Sequence, residues 1–407
     1  MERPSLSVAD VIRAHGDEFL AERGDAVSPA QLRVLDDLAL CRTSKLGGHV
    51  YRCESCGEQR IAYNSCRNRH CPSCLGQRSA EWLEARVQEL LPVEYSHVVF
   101  TVPQEVSALA LGNKKVVYSL LFSAAAETLK TIASNPRHLG AEIGFFAVLH
   151  TWTQTLQHHP HVHCVVPSGG LSPDRSRWIS GRPRYFLPVR VLSRLFRGKL
   201  LHALKKAAEE GQLTFGGSTE YLSDTRAFDR WIARLFKHEW VVYSKPPFGS
   251  PQQVLKYLAR YTHRVAISDS RLVSMVNRRL TLRYRDRTRG NKARTMTLDT
   301  SDFLRRLLLH VLPKGFVRIR YYGFLANGVR KKMLERCREL LGEPEVELPL
   351  DPDASADVDH DVMGDSESSS LPRCPVCKGR MVSLGTVDPH DEPRWLELRT
   401  TNHEDTS

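Results

Sequence analysis

The segment at residues 157–166 has the residue types of a metal-binding strand. It reads Gln-His-His-Pro-His-Val-His-Cys-Val-Val. Because side chains alternate between the two faces of a strand, His161 and His163 point the same way, and Val162 and Cys164 point to the other face. Two imidazoles so placed can bind one divalent ion and leave coordination positions open for a substrate oxygen. The alternative is a histidine-rich surface strand that binds nothing.

Two tyrosines have the spacing of paired nucleophiles on a helix. Residues 251–263 follow a helix-start pattern, and a rotation of about 100° per residue gathers their apolar side chains into one core-facing stripe. Tyr257 and Tyr261 lie away from that stripe. A basic row adjoins them, formed by Lys256, Arg260 and Arg264. A phenol with a pKa of about 10 is rarely ionised at pH 7, so a nearby cation would have to favour the attacking phenolate. The alternative is an ordinary amphipathic surface helix.

Cysteine spacing predicts structural zinc. The pairs Cys53-x2-Cys56 and Cys71-x2-Cys74 are separated by 14 residues, which fits zinc better than disulfides or free buried thiols. Further candidate ligands in the same stretch are Cys41, His49, Cys66 and His70, enough for a second tetrahedral site. A later pair, Cys374 and Cys377, could form another site with His390 and His403.

The elements that position these residues alternate between strands and helices. Strands are expected at residues 97–102, 143–152, 161–167, 239–243 and 316–324, with β-hairpins over 271–299. Helices are expected at 8–22, 29–39, 114–133, 188–209 and 301–311. Hairpin-type turns separate several of the strands. The pattern predicts an α+β fold with an antiparallel sheet.

Charge points to a polyanionic partner. The chain of 407 residues carries a formal net charge of +12. Residues 343–372 contain ten acidic residues and no Lys or Arg, so removing those ten negative charges leaves +22 on the rest. A folded body this basic suits DNA or RNA, with solubility alone as the alternative.

Because we see no secretory signal and no run of about 18 apolar residues, we expect a cytoplasmic protein with no membrane partner.

Three segments together resemble the rolling-circle insertion-sequence transposases of the two-tyrosine HUH type. Residues 63–72 (YNSCRNRHCP) resemble their N-terminal zinc-binding domain. Residues 149–170, which contain His161-Val162-His163, resemble their HUH motif of two histidines around a hydrophobic residue. Tyr257-x3-Tyr261 resembles their two-tyrosine motif. The motifs occur in the family's order, and the resemblance covers most of residues 28–330.

The resemblance implies a HUH-type antiparallel β palm flanked by helices and preceded by a small zinc-binding module. It also implies a domain order. N-terminal helices occupy 1–40, the zinc-binding DNA-recognition module 41–92, the catalytic domain 93–330, a C-terminal helix 331–342, an acidic flexible linker 343–372 and a cysteine-containing tail 373–407. DNA would be the partner, bound in part by Lys256, Arg260 and Arg264. The sequence leaves the oligomeric state open.

The implied reaction is the cleavage and rejoining of single-stranded DNA at insertion-sequence ends, near the nucleoid. Tyr257 and Tyr261 would be the nucleophiles and would leave a 5′-phosphotyrosine and a free 3′-OH. His161 and His163 would bind Mg²⁺ or Mn²⁺, and the candidates for a third ligand are Gln253, His159 and His263. The alternatives are a plasmid replication initiator or relaxase with the same chemistry, a zinc-dependent DNA-binding regulator without catalysis, and a metallohydrolase. A zinc module placed before the palm favours transposition.

Overall fold

A computed structural model describes residues 6–74, 86, 89–182, 186–248, 265–286, 289–342 and 373–389. The chain forms two compact units. Unit 1 holds the described residues of Met1–Ala80, His263–Val311 and Ala356–Ser407. Unit 2 holds those of Glu81–Thr262 and Leu312–Ser355. Both units are therefore assembled from segments distant in sequence, whereas the domains expected from the sequence are continuous.

The helices and strands are numbered along the described chain. The α-helices are α1 (Val8–Arg23), α2 (Pro29–Leu40), α3 (Gln104–Gly112), α4 (Lys114–Ser134), α5 (Val189–Glu209), α6 (Thr225–Lys237), α7 (Thr300–Leu309) and α8 (Arg330–Leu341). The strands are β1 (Gly48–Cys53), β2 (Gln59–Tyr63), β3 (Tyr95–Thr101), β4 (Phe145–Trp152), β5 (His158–Pro167), β6 (Gly169–Leu171), β7 (Trp178–Ser180), β8 (Val242–Phe248), β9 (Leu272–Val276), β10 (Arg279–Asp286), β11 (Lys292–Asp299), β12 (Ile319–Tyr322) and β13 (Met381–Val387). Short 3-10 turns lie at Gly24–Ala26, Ser44–Leu46, Gly217–Ser223, Asp269–Arg271 and Gly323–Leu325.

Unit 1 begins with two helices whose starts are set by serine caps. Ser7 and Ser28 each form a capping box, in which the serine and the residue at the third helical position satisfy each other's backbone N–H groups. Helix α7 packs against α1. Two three-stranded antiparallel sheets complete the unit, in the orders β13-β1-β2 and β11-β10-β9.

Unit 2 is built on a five-stranded sheet in the order β12-β4-β5-β3-β8. Every neighbouring pair is antiparallel, which confirms the predicted α+β architecture. One face of the sheet joins helices α3 to α6 in a large apolar core, where Phe100, Val162 and Cys164 are fully buried. The opposite face carries a smaller apolar cluster and the histidines described below.

Helix α4 is a core helix. By length and composition it is apolar enough to cross a membrane, but 61% of its most apolar window is buried inside the protein. Its buried residues include Tyr118, Leu121, Phe122 and Leu129, all in the main core of unit 2. The apolar stretch is therefore explained by packing against the sheet and α5.

Element boundaries differ from the sequence expectations mainly at two strands. The strand expected at residues 239–243 begins only at Val242, because Trp240 turns into the core and its indole donates to the carbonyl of Leu235. The strand expected at 316–324 is limited to Ile319–Tyr322, because Phe316 packs in the core and Gly323 starts a 3-10 turn. The other strands and helices predicted within the described residues match to within a few residues, and the helix expected at 251–263 lies outside them.

Candidate functional site

Three histidines converge on the sheet face opposite the main core. His150 on β4 lies directly across from His161 on β5, and His163 follows two residues later on the same face. Their rings are 4.3 to 5.6 Å apart between centroids. One ring nitrogen from each lies within 4.8 Å of the others, close enough for all three to bind one ion. His150 and His163 are buried, and His161 is half-buried.

Hydrogen bonds fix the orientation of two of these rings. Nδ1 of His161 lies 2.7 Å from the carbonyl oxygen of His159. A carbonyl can only accept, so Nδ1 carries the proton and the lone pair of His161 is on Nε2. Nδ1 of His163 lies 2.8 Å from Nε2 of His97 on the adjacent strand β3. In most histidine metal sites, a hydrogen-bond partner on one ring nitrogen orients the ring so that the other nitrogen faces the metal.

The strand pairing explains why these side chains meet. On β5 the odd-numbered residues from 159 to 165 face the histidine side, while Val162 and Cys164 enter the main core, as the alternation predicts. His158 has the opposite phase, and its Nε2 lies 2.7 Å from the hydroxyl of the buried Tyr118. The adjacent histidines His158 and His159 therefore serve opposite faces of the sheet.

The third histidine is one that sequence reasoning did not select. His150 takes the third place, whereas the expected candidate His159 is outside the group, with its ring centroid 5.6 Å from that of His161. Burial lowers the pKa of His159, which favours its neutral form. The other two candidates, Gln253 and His263, lie outside the described residues.

The predicted nucleophiles also lie outside the described residues. This applies to Tyr257 and Tyr261 and to the basic row of Lys256, Arg260 and Arg264. Their assignments remain predictions from sequence. The same is true of His390 and His403 as partners for the late cysteine pair.

Two groups of four cysteines form in unit 1, and their membership corrects the grouping expected from sequence. The first contains Cys41, Cys66, Cys71 and Cys74. The second contains Cys53, Cys56, Cys374 and Cys377. The two early CxxC pairs therefore belong to different groups, and the late pair shares its group with Cys53 and Cys56. His49 and His70 belong to neither group. Each CxxC loop supplies half of a tetrahedral shell, so sequence spacing alone does not say which loops pair.

The first cysteine group has the geometry of a closed zinc site. Its sulfurs are separated by 3.4 Å between Cys41 and Cys74, and by 3.6 Å for both Cys66–Cys74 and Cys41–Cys71. Four sulfurs around zinc at about 2.3 Å would lie about 3.8 Å apart, whereas a disulfide requires about 2.05 Å. Hydrogen bonds from the thiols of Cys41, Cys66 and Cys71 lower the pKa of Cys74, which favours a thiolate there. The residues fit zinc.

Matches to known protein families agree with this architecture. Residues 11–102 match a transposase zinc-binding domain, and residues 144–333 match a family described as "Putative transposase". A curated relative from Sinorhizobium fredii, named "Putative transposase y4qJ", is 51% identical over 390 residues, which cover 95% of this chain and 97% of the relative. The chain belongs to the rolling-circle insertion-sequence transposase family with an N-terminal zinc-binding domain.

A more distant relative is the transposase for insertion sequence element IS801 from Pseudomonas savastanoi. It is 29% identical over 364 residues, which cover 88% of this transposase and 84% of the relative. Among solved structures, two forms of the conjugative relaxase TrwC in complex with oriT DNA match at 16% and 12% identity. They cover 43% and 77% of this chain, and 68% and 96% of their own, with TM-scores of 0.23 and 0.24. At such scores the likeness adds nothing to the family assignment.

Proposed function

We propose that this transposase cleaves and rejoins single-stranded DNA at the ends of an insertion sequence through covalent phosphotyrosine intermediates. The observation that carries the proposal is the histidine face of the palm. His150, His161 and His163 bring three ligand nitrogens together on paired strands in a member of a transposase family. The same argument disfavours a purely DNA-binding regulator, which would have no use for such a face.

The histidine face suits a divalent ion with borderline-soft character. The group consists of three imidazoles, a donor set that suits transition metals better than Mg²⁺, which prefers oxygen ligands. We therefore expect Mn²⁺ to bind more tightly than Mg²⁺. When bound, the ion would withdraw charge from an oxygen of the scissile phosphate. The protein's part is to hold the rings of His161 and His163 in place, through the His159 carbonyl at His161 and through His97 at His163.

Tyr257 and Tyr261 are proposed as the nucleophiles. A phenolate oxygen attacks phosphorus, the bond from phosphorus to the 3′-oxygen breaks, and the 3′-oxygen leaves with a proton as a free hydroxyl. The phosphodiester is exchanged and not hydrolysed, so a later attack by a 3′-hydroxyl can rejoin strands without ATP. Two tyrosines permit two successive transfers, which is what moving one strand between two sites requires.

DNA contacts are proposed for the basic row at Lys256, Arg260 and Arg264 and for an exposed sheet face in unit 1. On β10, Arg283 and Arg285 are exposed on the face opposite the buried leucines. By contrast, Arg278 lies in an ion-pair group with Glu18, Glu22 and Asp299, so it is already neutralised. The exposed arginines have the chemistry to contact phosphates.

A covalent-adduct assay tests the nucleophile assignment. Full-length protein is incubated with single-stranded element-end DNA and Mn²⁺, and a denaturing gel with peptide mass spectrometry locates the modified residue. We expect an adduct on Tyr257 or Tyr261, lost in the double variant Tyr257→Phe, Tyr261→Phe. Tyr221→Phe, at an exposed tyrosine, serves as the control. An adduct that survives in the double variant would contradict the assignment.

The site of action follows from the substrate. We propose that the transposase works in the cytoplasm, in contact with nucleoid DNA. Imaging of a tagged chain should place it over the DNA, and a signal at the cell envelope would contradict this.

A further inference from the structure

The second cysteine group joins two parts of the chain that are far apart in sequence. Sγ of Cys53 lies 3.4 Å from Sγ of Cys377, and Sγ of Cys56 lies 3.6 Å from Sγ of Cys374. None of the four cysteines forms a disulfide. These separations are too long for disulfides and close to the sulfur–sulfur distance of about 3.8 Å in a tetrahedral zinc site.

The two loops that carry these cysteines have the same backbone conformation. In both, the N–H of the first cysteine donates to the carbonyl five residues later, at 2.8 Å. Its carbonyl accepts from the N–H four residues later, at 3.1 Å in the first loop and 2.9 Å in the second. The residue after the second cysteine has positive φ in each, +77° at Gly57 and +62° at Lys378. Two matching loops present two thiolates each to one point.

Strand pairing brings the loops together. Strand β13 follows the second loop and pairs antiparallel with β1, with Met381 opposite Cys53. The two loops are packed closely around Gly379. A β-carbon there would lie 2.5 Å from Oγ of Ser55 and 3.2 Å from Sγ of Cys377. The N–H of Gly379 also donates to Sγ of Cys377, at 3.4 Å.

The apolar core beneath the two loops is too small to explain this convergence. Its buried members are Cys53, Cys374 and Met381, with Tyr51 packed beside them. Two of the three are themselves ligand candidates. Small modules with so little apolar surface usually depend on a metal for their fold.

We propose that Cys53, Cys56, Cys374 and Cys377 form a second structural zinc site, which makes the C-terminal tail an integral strand of the zinc-binding module. The match to the zinc-binding domain covers residues 11–102 and therefore only half of these ligands. Cys56 and Cys377 are exposed, whereas three of the four cysteines in the first group are buried. The zinc held with the tail is therefore the one more open to chelators.

Zinc stoichiometry of the full chain tests this proposal. Because the histidine face can also take up zinc, the parent chain for this test carries His161→Ala, and native mass spectrometry and elemental analysis should find two zinc ions in it. The double variant Cys374→Ser, Cys377→Ser should hold one, because its second shell has lost two thiolates. The control Cys164→Ser, Cys337→Ser alters two buried cysteines outside both groups and should retain two ions. One zinc in the His161→Ala parent, or two after Cys374→Ser and Cys377→Ser are added to it, would overturn the proposal.

A second measurement covers the case in which the serine variant does not fold. Cys377→His replaces an exposed ligand by another that zinc accepts, and it should keep two ions. In protein loaded with Co²⁺, this variant should convert one of two all-sulfur absorption spectra to that of a site with three sulfurs and one nitrogen. An unchanged spectrum would mean that Cys377 is not a ligand. Neither result bears on the tyrosine chemistry proposed above.

Discussion

The histidine face of unit 2 and the cysteine groups of unit 1 gather their ligands in different ways. The histidines lie on neighbouring strands in register, and the other side of those strands is buried in a large apolar core. Their positions are therefore set before any ion binds. In the second cysteine group the ligands lie on two loops over a core of three buried residues. The fold of unit 2 therefore positions the histidines, whereas metal binding by the second cysteine group stabilises the fold around it.

Among the tests of this contrast, we expect removal of zinc from the full chain to have the largest effect. Stripping zinc with a strong chelator should abolish the protection of β1, β2 and β13 in hydrogen exchange, while β3, β4 and β5 stay protected. The free energy of zinc binding to such sites, about 10–16 kcal/mol, matches or exceeds the stability of a small domain.

Restored protection after zinc is added back is the control for irreversible damage. If β1 and β13 keep their slow exchange without zinc, the cysteine module is stable on its own. The contrast between the two regions would then be wrong.

A substitution on the histidine face should separate binding from folding. We expect His161→Ala to reduce adduct formation by at least about 100-fold, because one of three metal ligands is lost. The melting temperature should change little, since the ring is only half-buried and the main core is untouched. The control is His202→Ala, at an exposed histidine on α5. A large fall in melting temperature for His161→Ala would mean that the histidine ligands also stabilise the fold of unit 2.

A smaller effect is expected at His97, which contacts the metal group through His163. His97→Leu removes the neighbour of Nδ1 on His163 and should weaken Mn²⁺ binding by about 10–100-fold in calorimetry. His97→Glu supplies a carboxylate acceptor and should restore most of that affinity. A merely structural role would give equal losses for both variants, so equal losses would refute the positioning role.

Local patterns in the sequence were enough to predict much of the fold. Alternation around His161 and His163 predicted which side chains face the core, and Val162 and Cys164 are indeed buried there. The helix predicted at 29–39 is confirmed as Pro29–Leu40, with Ser28 as its cap. These features depend on residues a few positions apart, where backbone geometry fixes the outcome.

Features that depend on pairing between segments could not be predicted in the same way. His150 joins the other histidines because a tight turn at residues 153–157 sets the register of β4 on β5. In that turn the N–H of Thr153 donates to the carbonyl of Gln157 at 3.0 Å, and Leu156 adopts positive φ. The sequence signal that could have identified His150 is its position near the end of the predicted strand that precedes β5. Cys53 and Cys377 are more than 300 residues apart, and no local sequence pattern indicates that they belong to one group.

The place of β13 beside β1 has a consequence for synthesis of the chain. Cys374 and Cys377 are translated more than 300 residues after Cys53 and Cys56. At elongation rates of about 5–20 residues per second, that interval is about 15–60 s. During this time the growing polypeptide presents the earlier CxxC loop on the ribosome with no counterpart, so any product that stops before residue 377 carries an unfinished module.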